Sequence, residues 1–556
     1  MDSPSPFLQL QSRAARHLVP SGFRVVLPGD PGYDAARQIS NSRFDLSPVA
    51  VAFPRSAEHV AECIRFCQDQ GVALRVRSGG HQHEGMSSGN GVLVVRLSEM
   101  NQIQFTDGTM QTAWIQTGAR LEDVYAELAR YGKIIPGGGC KGVNVGGLTL
   151  GGGWGLSARQ YGLACDNVLE VEIVLADGRI ARATADNELQ DLFWALLGSG
   201  GGNFGIVTRF RFRLSSLGPG RQLQQYRVYW EASRRREVIR RWLAYQRAGQ
   251  RRETTSYLVL YADFEEHSWS KPPVYAGGMS YADKDALQQE VDSWSKALSP
   301  TVGPKYNAWP RKPEKTVAVS AETSGLGASE APQLLDAFLD FPGWIQTDHE
   351  GPLGRTGGLG SGAFEADSPK NECSTEHCKK APFPMENCLA PHPHKVSSAF
   401  PVDHDGDEDA FEVRFAEAVS AFIESRPVDL NVKSYISLYS MGGAIADIAP
   451  DESAFWYRKK PFVIQIESWW NYPDPELKKC RDKKDWQKPY KKWVQDFRRA
   501  LSDEGLIEGA FINFIDRDVP LYEYYGGNFE RLKRLKARWD PTDFFSFEMS
   551  IPPAES

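Results

Sequence analysis

Two short stretches concentrate glycine: Arg77-Ser78-Gly79-Gly80-His81-Gln82-His83-Glu84-Gly85, and Pro136-Gly137-Gly138-Gly139-Cys140-Lys141-Gly142-Val143-Asn144-Val145-Gly146-Gly147-Leu148-Thr149-Leu150-Gly151-Gly152-Gly153-Trp154-Gly155. Runs of this kind are costly inside regular helices or strands, and they let backbone N–H groups approach a large anionic ligand closely. Neither run has the Gly-x4-Gly-Lys-Ser/Thr spacing of a phosphate loop, so glycine alone leaves turns and a ligand cradle both open. One run carries His81 and the other Cys140, each next to glycine, where one buried ring could touch both.

The elements around these runs alternate. Ala57, Val60, Cys63, Ile64 and Cys67 fall at helical spacing with Gly71 as a stop, and 72–76 and 92–97 read as strands. Leu121, Val124, Tyr125 and Leu128 suit a helix face, and 207–214 alternates strictly, as a half-buried strand does. Asp177-Gly178 between 168–175 and 179–183 predicts a hairpin closed by a type I′ turn. The class is α+β. After about residue 217 the texture changes to longer helical segments, 234–246 and 284–298, between strands at 255–261 and 461–469, so a second domain is expected there. Residues 350–395 lack apolar periodicity and read as one long surface insertion.

Composition narrows the partners. Lys+Arg 64 against Asp+Glu 71 gives a net charge of -7, so no basic surface points to nucleic acid or an anionic membrane. No apolar run approaches the roughly 18 residues of a membrane span, and the first twenty residues lack the apolar centre of a signal peptide, so a cytoplasmic location is expected. Eight cysteines are too few for a disulfide scaffold. Cys63, Cys67 and Cys165 read as core residues. Cys373, Cys378 and Cys388, near His377, His392 and His394, match no common zinc spacing and read as a loop disulfide or thiols, so no metal is expected.

Further motifs carry a resemblance. The two glycine runs, Tyr161-Gly162-Leu163-Ala164-Cys165-Asp166-Asn167, Asp191-Leu192-Phe193-Trp194 and Gly200-Gly201-Gly202-Asn203-Phe204-Gly205-Ile206-Val207 together resemble the berberine bridge enzyme-like FAD-linked oxidases, of the vanillyl-alcohol oxidase and p-cresol methylhydroxylase (PCMH) flavoprotein superfamily. Tyr524-Tyr525-Gly526-Gly527-Asn528-Phe529-Glu530-Arg531-Leu532, Asp540-Pro541 and Ser550-Ile551-Pro552-Pro553 resemble that family's C-terminal segment. The resemblance implies a two-domain PCMH-type fold. Residues 1–217, with a core at about 42–217, and 505–556 would hold FAD, while 218–504 would form an antiparallel substrate-binding sheet backed by helices.

The resemblance also implies roles. FAD would be linked twice, through His81 to its 8α-methyl and through Cys140 to C6, and imidazole and thiolate are nucleophiles suited to that attack. His83 stands where relatives often carry tyrosine, and tuning and space-filling both remain open. Val143 matches a position that gates oxygen, where a small β-branched residue resembles the oxidases. Tyr439 and the strand residues Val463, Gln465 and Glu467, which alternate onto one face, would meet substrate. The family's usual catalytic tyrosine aligns with Phe514, which has no hydroxyl, and Glu467 is expected as the substitute base with Tyr439 as competitor. The expected activity is hydride transfer from an alcohol or amine carbon of a bulky specialised metabolite to FAD, with O2 as acceptor and H2O2 as product. An oligosaccharide oxidase, a dehydrogenase and a flavin-bearing binding protein are the rivals, and a monomer or homodimer is expected.

Overall fold

The computed structural model describes residues 14, 17–18, 22–216, 222–262, 273–298, 317–318, 392–403, 407–425, 432–470 and 487–555. Cys373, Cys378, Cys388, His377 and Cys480 lie outside them.

Among the described residues before 217 there are two larger sheets and a two-stranded pair, Lys133–Ile134 with Ser215–Ser216. The first orders Arg24–Val26, Ala50–Phe53, Leu93–Arg96 and Leu74–Arg77, with Ala57–Gln70 as its connecting helix. The Ser56 hydroxyl accepts the His59 N–H to start that helix, and Gly71 at φ 62 ends it, the left-handed conformation a glycine adopts without strain. Cys63 and Cys67 pack in the core beneath it, and Cys165 is equally buried. The second sheet orders Ile103–Phe105, Thr112–Gln116, Ile206–Arg213, Val168–Val174 and Ile180–Ala183, all antiparallel. Along Ile206–Arg213, Phe210 and Phe212 are fully buried while Arg209, Arg211 and Arg213 face outward, the period-2 pattern that the sequence shows.

The hairpin at 175–179 departs from the expected turn. Gly178 alone has positive φ, at 79°, and its N–H bonds the Leu175 carbonyl while the Leu175 N–H bonds Arg179. A type I′ turn needs positive φ at both central residues, so this is a type I turn followed by a glycine bulge.

The largest sheet has, among the described residues, eight antiparallel strands in the order Val317–Ala318, Gln222–Trp230, Val274–Ser280, Thr254–Tyr261, Val432–Ser440, Phe462–Trp470, His394–Pro401 and Ile507–Glu508. Both faces are covered. Ile436, Leu438, Ile464 and Ile466 pack with Trp242, Phe415 and Phe497 of the helices Arg235–Ala248, Glu408–Glu424 and Lys488–Asp503. The alternate residues Tyr435, Tyr439, Val463 and Trp469 join the core of the preceding domain, so every second side chain of the central strands faces the seam between domains.

The structure corrects the expected insertion of 350–395 at its end. His394 and Lys395 open a strand next to the edge of this sheet and are buried. The tail also contributes its own strand, Ile507–Glu508, beyond residue 504.

Candidate active site

The seam holds a cavity of about 320 Å³. The first domain's wall is Ser78, Gly79, Gly80, His81 and His83 from one glycine run, and Gly138, Gly139, Cys140, Val143, Gly146, Gly147 and Gly151 from the other, with Asn203, Gly205 and Val207 beyond them. The sheet's wall is His394, Tyr435, Tyr439, Gln465, Glu467 and Trp469, and the tail adds Phe514 and Tyr525. His81 and Cys140, 59 positions apart, therefore share one wall.

The other expected cofactor residues shape this wall from behind. The buried Arg77 guanidinium donates to the carbonyls of Ala36, Arg37 and Gln38. A Cβ on Gly155 would stand 1.7 Å from the Gly137 carbonyl oxygen, so the chain can approach Gly137 there only with glycine at 155. Gly85 lies under the Phe44 ring, Gly152 against Phe455 and Leu163, and Gly162 against Asp166. Tyr161 meets Tyr281 edge-on, and Asn528 donates to the carbonyls of Pro450 and Ser453. Val463 points toward the seam as expected but is sealed in the core and does not reach the cavity.

Asp166 accepts two bonds from the Arg458 guanidinium, at 2.7 and 3.1 Å, tying the first domain to the segment between the central strands Val432–Ser440 and Phe462–Trp470. Arg458 is fully buried. Asp166→Ala is expected to cost about 3–5 kcal/mol, because one charge would stay buried alone, and urea unfolding measures it. A loss below about 1 kcal/mol would show that the pair is dispensable.

The electrostatics follow from burial. His81 is pushed down to about 4 by burial, opposed by a hydrogen bond with the Gly142 backbone, so its imidazole is neutral and nucleophilic at neutral pH. Burial raises the Glu467 carboxyl to about 7, against the stabilising hydrogen bonds from Trp469 and Tyr435. Trp469 Nε1 and the Tyr435 hydroxyl both donate to Glu467 Oε2, at 2.7 and 3.0 Å, while Oε1 has no partner among the described residues. The Tyr439 hydroxyl donates to Gln465 Oε1 at 2.7 Å, and burial lifts its phenol well above 10. Phe514 lies between His83 and Tyr439, with ring centres 6.2 Å from each. The Asn513 side chain fixes Phe514's segment to the second glycine run: its Nδ2 donates to the carbonyls of Gly147 and Leu148, and its Oδ1 accepts the Gly153 N–H.

Tyr435, Trp469 and His394 were not anticipated from sequence. The first two continue the alternation of Tyr439 and of Gln465 and Glu467, a signal that could have found them.

An FAD-sized group fits this wall. Ser87 Oγ and Ser199 Oγ are buried at it without a hydrogen-bond partner among the described residues, and a Cβ on Gly147 would meet nothing within 4 Å. Glycine backbone and unused hydroxyls suit a long, polar, anionic ligand.

Comparison with known proteins agrees. Residues 48–184 match a family model described as FAD binding domain, and 510–552 match one described as berberine and berberine like. The chain is 28% identical to the uncharacterized FAD-linked oxidoreductase YgaK of Bacillus subtilis, over 95% of this chain and 97% of that protein. It is 27% identical to the xylooligosaccharide oxidase of Thermothelomyces thermophilus, over 93% and 89%. Its fold matches glucooligosaccharide oxidase from Acremonium strictum, which has a 6-S-cysteinyl, 8α-N1-histidyl FAD, at TM-score 0.73 and 21% identity, covering 98% of this chain and all of that one. With both matched segments in place and the cavity walled in part by them, the chain is an FAD-linked oxidoreductase similar to the berberine bridge enzyme-like proteins.

Proposed function

We propose that this protein is an oxidase whose FAD is held through both His81 and Cys140 and which oxidises an alcohol or amine carbon of a bulky specialised metabolite, with O2 as the final acceptor. Residues 1–217 and 510–556 serve the cofactor and 218–508 the substrate. The observation that carries this reading is the placement of His81 and Cys140 on one glycine wall, facing a sheet that presents Glu467. FAD bound there would supply the hydride acceptor. The chain's own residues do the rest. Glu467 takes the substrate proton at Oε1, Tyr435 and Trp469 aim that carboxylate through Oε2, and Tyr439 sets Gln465.

The xylooligosaccharide oxidase relative and the rings of Tyr435, Tyr439 and Trp469 at the cavity favour a second reading, an oligosaccharide oxidase. Phe514, in place of the hydroxyl-bearing residue, favours the metabolite. H2O2 release across a panel of benzylic and allylic alcohols, cyclic amines and xylo- and cello-oligosaccharides separates them. Turnover of sugars alone would replace the first reading by the second, and no release with any compound would end both.

Val143 is half-buried and lines the wall three residues from Cys140. Val143→Leu is expected to slow reoxidation by O2 while leaving anaerobic reduction nearly unchanged, because the added bulk narrows only the oxygen path. Stopped-flow comparison of the half-reactions checks this, and equal slowing of both would remove the gating role.

A further inference from the structure

His83 and His394 come from the two sides of the seam, 311 positions apart, and meet ring to ring. His394 Nδ1 lies 2.9 Å from the His392 carbonyl oxygen, and His394 Nε2 lies 3.0 Å from His83 Nδ1. A carbonyl oxygen only accepts, so His394 Nδ1 carries the hydrogen. A neutral imidazole has one N–H, so His394 Nε2 accepts and His83 Nδ1 must donate to it. His83 Nε2 is then left as a bare lone pair. Burial keeps both rings neutral: His83 is pushed down to about 4 and His394 well below the usual histidine value.

The pair is held from several directions. The buried Asn41 donates from Nδ2 to the backbone carbonyls of His83, at 2.6 Å, and His394, at 3.1 Å, and accepts the His394 N–H through Oδ1. Trp469 stacks on His394 at 4.0 Å. His83 lines the cavity next to Phe514, and its Nε2 meets no donor among the described residues.

We propose that His83 Nε2 is a hydrogen-bond acceptor, fixed in one tautomer by the His394–His392 chain, that binds an O–H or N–H of the substrate beside Phe514 and so selects substrates carrying such a donor. The assignment rests on the cavity being the substrate site of the oxidase proposed above. An acceptor that must go unpaired against an analogue without the donor discriminates by about 10- to 100-fold.

The test uses the holoprotein with 15N-labelled histidine, and two probes of nearly equal shape that share one oxidisable CH2OH group, 6-(hydroxymethyl)-2-naphthol as the alcohol with a second O–H and its phenolic O-methyl ether as the ether without it. One His83 nitrogen is expected to resonate as unprotonated at neutral pH and to move on adding the alcohol but not the ether. The alcohol should bind about 10- to 100-fold more tightly than the ether. His83→Gln, whose amide oxygen can replace the acceptor, should keep the preference, and His83→Phe should lose it. A protonated Nε2, or equal binding of alcohol and ether by the native protein, overturns the assignment. Flavin content is read on the same samples. Flavin-free protein that still prefers the alcohol ends the oxidase reading and leaves His83 as assigned, whereas flavin-loaded protein without the preference does the reverse.

Discussion

Glu467→Gln is expected to lower the rate of anaerobic flavin reduction by at least about 10²-fold, within the 10²- to 10⁴-fold range of a lost general base. Glutamine preserves the shape of the side chain but cannot take a proton. The native carboxyl is buried, and that burial lifts it to about 7, which puts its affinity for a proton near neutral pH, where a base is most effective. A base works only when ionised. The native reduction rate should therefore reach its plateau above about pH 7 and fall about tenfold per unit below it, and in Glu467→Gln this acidic limb should vanish. Tyr439 is a weaker candidate: its phenol is held well above 10, so it stays protonated, and its hydrogen is already given to Gln465. Tyr439→Phe should cost less and act mainly on binding. Normal reduction in Glu467→Gln with impaired Tyr439→Phe would move the base to the tyrosine. Normal rates in both would mean that the substrate's own acidity suffices.

The larger effect is on the cofactor. His81→Ala and Cys140→Ala are each expected to keep flavin on the acid-precipitated protein, while the double variant releases all of it, because either tether alone resists denaturation. Flavin absorbance of pellet and supernatant measures this. Complete release from either single variant would show that the surviving residue forms no bond.

What the sequence made legible followed from local physics. Glycine around His81 and Cys140 marked both positions because a Cβ on neighbours such as Gly79 would crowd Asn144, its side-chain Oδ1 at 2.7 Å and its backbone N at 3.2 Å. Strand alternation placed Gln465 and Glu467 on the cavity face, and would have placed Trp469 had it been followed two residues further. The same rule put Val463 on the right face, yet alternation does not say where along a strand a cavity ends. His394 was read as part of an insertion because proline, glycine and charge before it hide the start of its strand. Its partnership with His83 joins residues 311 positions apart, and no local pattern reports such a contact. The Asp177-Gly178 signal marked the hairpin and not its turn type, which depends on how the flanking strands twist.

The central claim is that His81 and Cys140 jointly hold one flavin. Proteolysis of the denatured native protein followed by mass spectrometry tests it most directly. The expected result is a single flavin-bearing species in which the peptide containing His81 and the peptide containing Cys140 are joined through the same FAD. Two separate unmodified peptides, with FAD recovered free in solution, would contradict it.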